Sequence, residues 1–425
     1  MMSEVTPTCR IHEKYRLIEC KNPALPWDPH GFCILHSESK EKSPAVFREA
    51  IQARLEQGNA KLLDFRGVWF PLRFDWRNYF GKEVFDNPID FSWAHFAAEV
   101  IFSGAIFKEN VDFLRARFTR DAHFYRAEFR RRAKFSFADF GGEADFYGAN
   151  FVEPADFRWA KIRGRMIFKG GYEQGKAPGS IFVFPRWGDF RFLQLGPEAV
   201  LRFQDLSLEK VEFTGTDLRL VEFRHVTWHA YRGRQAIYDE VLLRQEEKDK
   251  PWFLTWVLHY APYENPPSPW PDRYGEVERL YRNLKLNYIA EGDNKNAGDF
   301  HYGEMEMHRR ASKWGWFPFN LYYLYRILSG YGERPSWALG WLALFLFGLA
   351  GLVWSLGLEI GQTQQLAGFN DAFIYILQKV TLQRPTWAEP VGFGGKLIAG
   401  LSVLLIPGQA ALFLLALRNR LGRRR

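Results

Sequence analysis

The chain has 425 residues, a formal net charge of +8 and 17% aromatic residues, 39 of them phenylalanine. That length exceeds a single globular core and accommodates about three or four structural units. Mean hydropathy is slightly polar at −0.30, yet the chain beyond residue 335 is strongly apolar, so the average hides two classes of segment. It carries no phosphate loop, no dinucleotide fingerprint and no nucleophile–base pair in a recognisable context, so the chain reads as non-enzymatic.

Cys9, Cys20 and Cys33 all fall near the amino terminus, and His36 follows. The two-residue gap in Cys33-Ile34-Leu35-His36 lets both side chains reach one ion, and three thiolates with one imidazole form a closed structural zinc set. Residues 1–40 are therefore expected to hold a Cys3His zinc, which staples a segment too poor in apolar residues to fold unaided. His12 or His30 could replace a named ligand; the alternative is three free thiols in a reducing compartment, since three cysteines cannot all pair. No secretory signal precedes Cys9. A capping helix is predicted over 43–58, with Ser43 as N-cap, Pro44 at the first helical position and Gly58 as the stop.

Phenylalanine then recurs at alternating steps of five and six. Phe91, Phe102, Phe113, Phe124, Phe135, Phe146, Phe157 and Phe168 alternate with Phe96, Phe107, Phe118, Phe129, Phe140, Phe151 and Ile162. Extrapolated upstream, the series runs through Phe85, Phe80, Phe74 and Trp69 to Leu63. Small residues stand two places before the large ones, as at Ala105, Ala116, Ala127, Ala122 and Ala133. Positions i−2 and i of an extended segment face the same way. Each segment thus sends one small and one large residue inward and then turns a corner. Four such sides close a coil of about twenty-two residues, and coils stack at about 4.8 Å. Leu63 to Phe168 then makes about five coils, a rod on the order of 24 Å long. After a surface excursion expected near 170–180, strict fives resume at Phe203, Leu208, Phe213, Leu218, Phe223 and Trp228, so the solenoid is expected to span 61–230.

Ala144-Asp145-Phe146, Ala149-Asn150-Phe151 and Ala155-Asp156-Phe157 resemble the unit of the pentapeptide-repeat family. The resemblance implies that family's right-handed quadrilateral β-helix. The sixth residue in alternate units departs from the family's simple period, and one pair of corners should be looser. Some members mimic DNA with an acidic rod. Here the outward cluster Arg115, Arg117, Arg120, Arg126, Arg130, Arg131, Arg132 and Lys134 has the wrong sign for that. With acids such as Asp121 and Glu128 interspersed, it reads as a solvated face, and nucleic acid is not an expected partner.

Residues 231–312 read as a linker followed by an α-helical hairpin. Val277, Leu280, Tyr281, Leu284 and Tyr288 fall at helical spacing, a break follows at 291–294, and a second helix begins at Lys295. The hairpin is similar to one tetratricopeptide unit. His301, Glu304 and His308 share a face of the second helix, which reads as a solvated or interface face rather than a metal site. Residues 313–335, with Trp314, Trp316, Tyr322, Tyr323 and Tyr325, form an interfacial aromatic segment.

Residues 336–425 predict two transmembrane helices, 336–358 and 397–417, with Pro407 and Gln409 interrupting the second. Arg326 and Arg334 precede the first span, and an arginine-rich tail follows the second. Both termini are therefore expected in the cytoplasm, on an integral inner (plasma) membrane protein. The short helix expected at 371–382 makes the order span–short helix–span, which resembles the two-helix potassium-channel pore domain. The filter position reads Thr381-Leu382-Gln383-Arg384-Pro385, without the glycines of that family's T-V-G-Y-G, so potassium selectivity is not supported. Thr381, Gln383 and Arg384 remain the pore-loop candidates. Two readings follow: a bilayer-anchored β-helix that serves a cytosolic protein partner as scaffold or sensor, or a homo-oligomeric pore-loop channel gated by that rod.

Overall fold

The computed structural model describes residues 7–16, 18–39, 41–57, 62–80, 84–171, 184, 186–248, 272–312, 320–361, 365–383 and 385–421. The chain separates into two compact units, Met1–Thr255 and Trp256–Arg425.

The first unit is a β-solenoid. Its strands are mostly two residues long, because each side of the coil must turn after one inward pair. Parallel pairing in register links Leu63, Ile89, Val111, Ala133, Ala155, Gly188 and Val211 into one seven-stranded stack. Three further stacks form the other sides, so the section is four-sided and the rod has about seven turns. Six strand spacings give it a length of about 29 Å. The strict-five block continues the same rod: Phe168 pairs with Phe203, and Phe203 with Phe223.

The interior explains the residue choice. Phe91, Phe113, Phe135, Phe157 and Phe190 stack face to face at 4.7–5.1 Å up one column. Within a coil the columns meet edge to face, as Phe135 meets Phe146 at 90°. Aromatic pairs in both geometries add about 0.5–1.5 kcal/mol beyond burial. Four rings per coil fill most of the section, so the preceding inward position is mostly alanine or valine and is glycine at 188, with larger Ile89, Met166 and Leu201 in some coils.

The two kinds of corner differ as the alternating step requires. In the five-residue step Ala94 N–H bonds to Phe91 C=O across a turn whose third residue, Trp93, has φ 57°. The same left-handed corner recurs at Gly67, Arg115, Phe137, Trp159, Phe192 and Gly215. A non-glycine residue there costs about 1–2 kcal/mol. Stacking offsets part of this cost: Phe137 lies on Trp159 at 6.1 Å, Trp159 on Phe192 at 4.5 Å, and the Arg115 guanidinium over Phe137 at 5.3 Å. Gly215 closes the ladder because a Cβ there would collide with the Phe192 ring.

Upstream, the extrapolated series is corrected. Trp69 faces outward beside His95, and Phe70 takes the inward place. Leu63 and Phe74 occupy the small-residue positions, with Phe65 and Trp76 as the large ones. Phe80 falls in a short helix, Trp76–Phe80. That inserted helix lengthens the first coil to the 26 residues between Leu63 and its partner Ile89, four more than the 22 between Ile89 and Val111. A backward count at five and six steps therefore loses register.

Both ends of the rod are covered. Helix α1 (Ile11–Lys14) belongs to the amino-terminal segment, and α2 (Pro44–Gln57) sets Phe47 edge-on against Phe70 at 5.8 Å; Gly58 lies outside the described residues. The inserted helix is α3. At the far end α4 (Tyr238–Lys248) offers the buried carboxylate of Asp239 to the N–H groups of Phe213 and Thr214. Those donors would otherwise face an open strand edge. Beneath it, Glu212 is pushed up to about 7 by burial and by Asp239. A carboxyl whose folded pKa is raised binds its proton more tightly in the native state. Its stabilising contribution is complete below its ordinary value and is lost as pH rises toward 7. With the intrinsic base-catalysed rate divided out, we expect amide protection over 186–248 to fall between pH 5 and pH 7.5, by up to about 3 kcal/mol, and Glu212→Gln to flatten that dependence.

The second unit is helical. Helices α5 (Arg273–Ala290) and α6 (Asn294–Ala311) pair through Tyr281 and Tyr288 against Phe300. Gly303 permits this closeness, since a Cβ would sit 2.6 Å from the Tyr281 ring. Buried Glu306 of α6 gathers Arg309 at 2.9 Å, Arg310 at 3.1 Å and the Tyr331 hydroxyl at 3.0 Å. Burial opposes its charge, but these cations hold it well below the usual carboxylate range. Helix α7 (Leu321–Ser329) leads into α8 (Pro335–Leu356) and, after α9 (Phe369–Val380), α10 (Gly392–Leu421). Trp314 and Trp316 lie outside the described residues. A small antiparallel sheet, Leu358–Ile360 between Gln365–Leu366 and Ala388–Pro390, joins the far ends.

Helices α8 and α10 are long and apolar enough to cross a membrane, and only 11% and 22% of their apolar windows are buried. The polar interruption in α10 has a partner. Gln409 is 2% exposed, and its Nε2 donates to the carbonyls of Leu328 and Ala338 at 2.9 Å each. That bridge satisfies both amide hydrogens, while the buried Oε1 has no hydrogen-bond partner among the described residues.

Candidate metal centre

Cys9, Cys20, Cys33 and His36 come from three loops of the amino-terminal segment and are all buried. Short backbone bonds draw the loops together: Cys9 N–H to Asn22 C=O, Arg10 N–H to Gly31 C=O, and Leu25 N–H to Phe32 C=O. A tight turn follows Cys33, whose carbonyl accepts from both His36 and Ser37 N–H. The turn delivers His36 back onto Cys33, which is the physical content of the two-residue gap.

The four ligand atoms lie within 4.8 Å of one another. Cys20 Sγ is 3.8 Å from Cys33 Sγ, and His36 Nδ1 is 3.2 Å from Cys33 Sγ and 3.4 Å from Cys9 Sγ. Tetrahedral bonds of about 2.3 Å place two sulfurs about 3.8 Å apart. A disulfide needs about 2.05 Å, and all three cysteines are free. The donor set therefore fits a closed tetrahedral metal and leaves no position open for substrate. Hydrogen bonds from Cys20 and Cys9 draw the Cys33 thiol far below its ordinary value. Burial favours neutral His36, yet its bonds to Cys20 and Cys33 lift it to about 9. A metal dication would replace this shared proton.

Outer contacts orient the ligands as a metal centre requires. His36 Nε2 lies 3.2 Å from the Arg66 carbonyl, which leaves Nδ1 to the sulfurs. Cys33 N–H donates to Cys9 Sγ at 3.2 Å, and Arg54 of α2 reaches Cys20 Sγ at 3.7 Å. Arg54 also donates to Asp64 C=O in the first coil. The cluster is thus tied both to α2 and to the solenoid's first turn. Arg54 and Arg66 were invisible to cysteine spacing, because only the fold brings them there.

The other candidates separate from this group. His12 and His30 are not in it. Glu304 is taken by Arg282 at 3.0 Å and Lys285 at 2.5 Å, while His308 turns to Glu278 at 3.3 Å, so that helix face holds ion pairs. At the end of α9, Thr381 Oγ1 donates back to the carbonyls of Leu377 and Gln378, and Gln383 N–H donates to that of Gln378. Both side chains are exposed. Arg384 lies outside the described residues. Phe369 meets Trp354 at 6.1 Å and Phe373 meets Phe347 at 5.2 Å, so α9 runs back alongside α8. Seven residues of α8 make that descent about 10 Å.

A family model described as Pentapeptide repeats (9 copies) matches residues 113–161. The matched stretch is similar to that family, and it lies wholly within the solenoid. No curated protein and no solved structure matches the chain.

Proposed function

We propose that this chain is a non-enzymatic scaffold: a zinc-capped β-helix held at the cytoplasmic face of a membrane by α8 and α10, where it binds a protein partner. The observation that carries the reading is the outer surface of those two helices. Leu344, Phe347, Leu404 and Leu414 stand 53–73% exposed, and water would not leave such a surface uncovered. Arg326, Arg334, Arg418 and Arg420 flank the same end of the pair, which favours both termini in the cytoplasm.

A second reading, the homo-oligomeric pore-loop channel, gains from α9. If α8 spans the bilayer, α9 returns partway into it and ends with Lys379, Thr381 and Gln383 at depth. Polar groups there need protein or a water-filled cavity around them, and several copies about an axis would provide one. Mass measurement in detergent, followed by ion flux in liposomes, separates the two. A monomer without flux is the expected result for the scaffold; a flux-competent oligomer would replace it with the pore. Recovery of the chain in the alkaline-washed soluble fraction would overturn both.

A further inference from the structure

A cavity of about 310 Å³ opens between the amino-terminal segment and the flank of the first coils. That volume falls in the range of small-molecule sites. Its walls combine two features. Tyr15, Trp69 and Trp93 supply aromatic surface, while Lys14, Arg115 and Arg117 supply positive charge. Glu38, paired with Lys14, is the one carboxylate among the lining residues. His95 adds no charge, since its Nε2 is 2.7 Å from Thr119 Oγ1 and burial with Arg117 holds it down to about 4.

The excess charge is not neutralised nearby. Among the described residues Arg115 has no carboxylate partner; it rests on the Phe137 ring at 5.3 Å. Arg117 reaches Asp139 only at 4.0 Å, and Asp139 already holds Arg163 in two hydrogen bonds of 2.7 and 2.9 Å. His36 also lines the cavity, and as a metal ligand it is a neutral imidazole; three cations against one carboxylate then leave a surplus of two. Trp93 and Arg115 also occupy left-handed corners, where glycine would be the unstrained choice. Large side chains are held there at a conformational cost, and both face this cavity.

We propose that the cavity binds a nucleoside monophosphate, its base against Trp69 and Trp93 and its phosphate against Arg115 and Arg117. A phosphomonoester carries about two negative charges at neutral pH, which matches the surplus, and the indole and phenol walls suit a planar ring. The site goes beyond the scaffold reading and does not depend on it: it would make the solenoid's metal-capped end responsive to a small molecule.

The test is calorimetric titration of the full chain in detergent with AMP, GMP, CMP and UMP, against adenosine and inorganic phosphate as half-ligands. At least one nucleotide should bind with a Kd below about 1 mM, and each half-ligand about tenfold more weakly. Arg115→Gly suits its positive φ and keeps the fold, and Arg117→Gln is exposed; each should weaken the nucleotide about tenfold. Lys14→Gln is the second surface variant and should also weaken it. Absence of saturable binding by all four nucleotides at about 5 mM would overturn the proposal. So would inorganic phosphate binding as tightly as the nucleotide, or unaltered affinity in all three variants.

Discussion

Chelation of the purified chain is expected to release one zinc and to leave residues 7–39 without amide protection, while the coils over 84–171 keep theirs. The physical reason is the scarcity of other support in that segment. Its buried apolar side chains are few, chiefly Ile11, Ile18, Phe32 and Leu35 around the cysteines themselves. In small zinc modules the ion contributes on the order of 10 kcal/mol, more than such a core supplies. Cys33→Ser should reproduce the loss, because Cys33 touches both another sulfur and the imidazole. Through His36 and the Arg66 carbonyl the effect should reach the first coil, so exchange at 63–70 should rise modestly. Hydrogen exchange with mass spectrometry, alongside metal analysis, reads both results. A metal-free preparation with full protection over 7–39 would exclude a structural ion.

Phe135→Ala is the second large effect. The ring lies between Phe113 at 4.9 Å and Phe157 at 4.7 Å, and meets Phe124 and Phe146 edge-on. Removing it leaves a void that rigid backbone ladders on all four sides cannot close. A loss of about 3–5 kcal/mol is expected. Coils touch only their neighbours, so faster exchange should concentrate over 111–157 and fade toward both ends. Phe137→Gly is the contrast two residues on. It surrenders stacking on Trp159 but relieves a positive φ, and the two should nearly cancel. Equal destabilisation by both variants would refute the column as the source of stability.

The repeat was legible because stacking imposes translation along one axis: each coil meets the same environment, so the same residue types recur. Phe91 to Phe168 could be placed by counting alone. The candidate donor set was legible for a different reason, since cysteine and histidine are few and their chemistry is narrow. Counting failed where a local insertion broke the translation. Trp76–Phe80 forms a helix, and its extra residues shift the register so that Phe65, Phe70 and Trp76 stand in the core while Trp69 faces outward. The family match over 113–161 falls where the spacing is unbroken.

Sequence by itself thus determined the four-sided rod, the donor set at its amino end and the two apolar helices, because each rests on periodicity, rare chemistry or composition, which survive without coordinates. Tertiary structure alone decided what lies beside what. The Arg66 carbonyl behind His36, the two carbonyls that accept from Gln409 Nε2, and the meeting of Trp93, Arg115 and Lys14 around one cavity join residues tens of positions apart. No local pattern encodes such contacts, since they depend on which coils and helices come to lie side by side once the chain has closed.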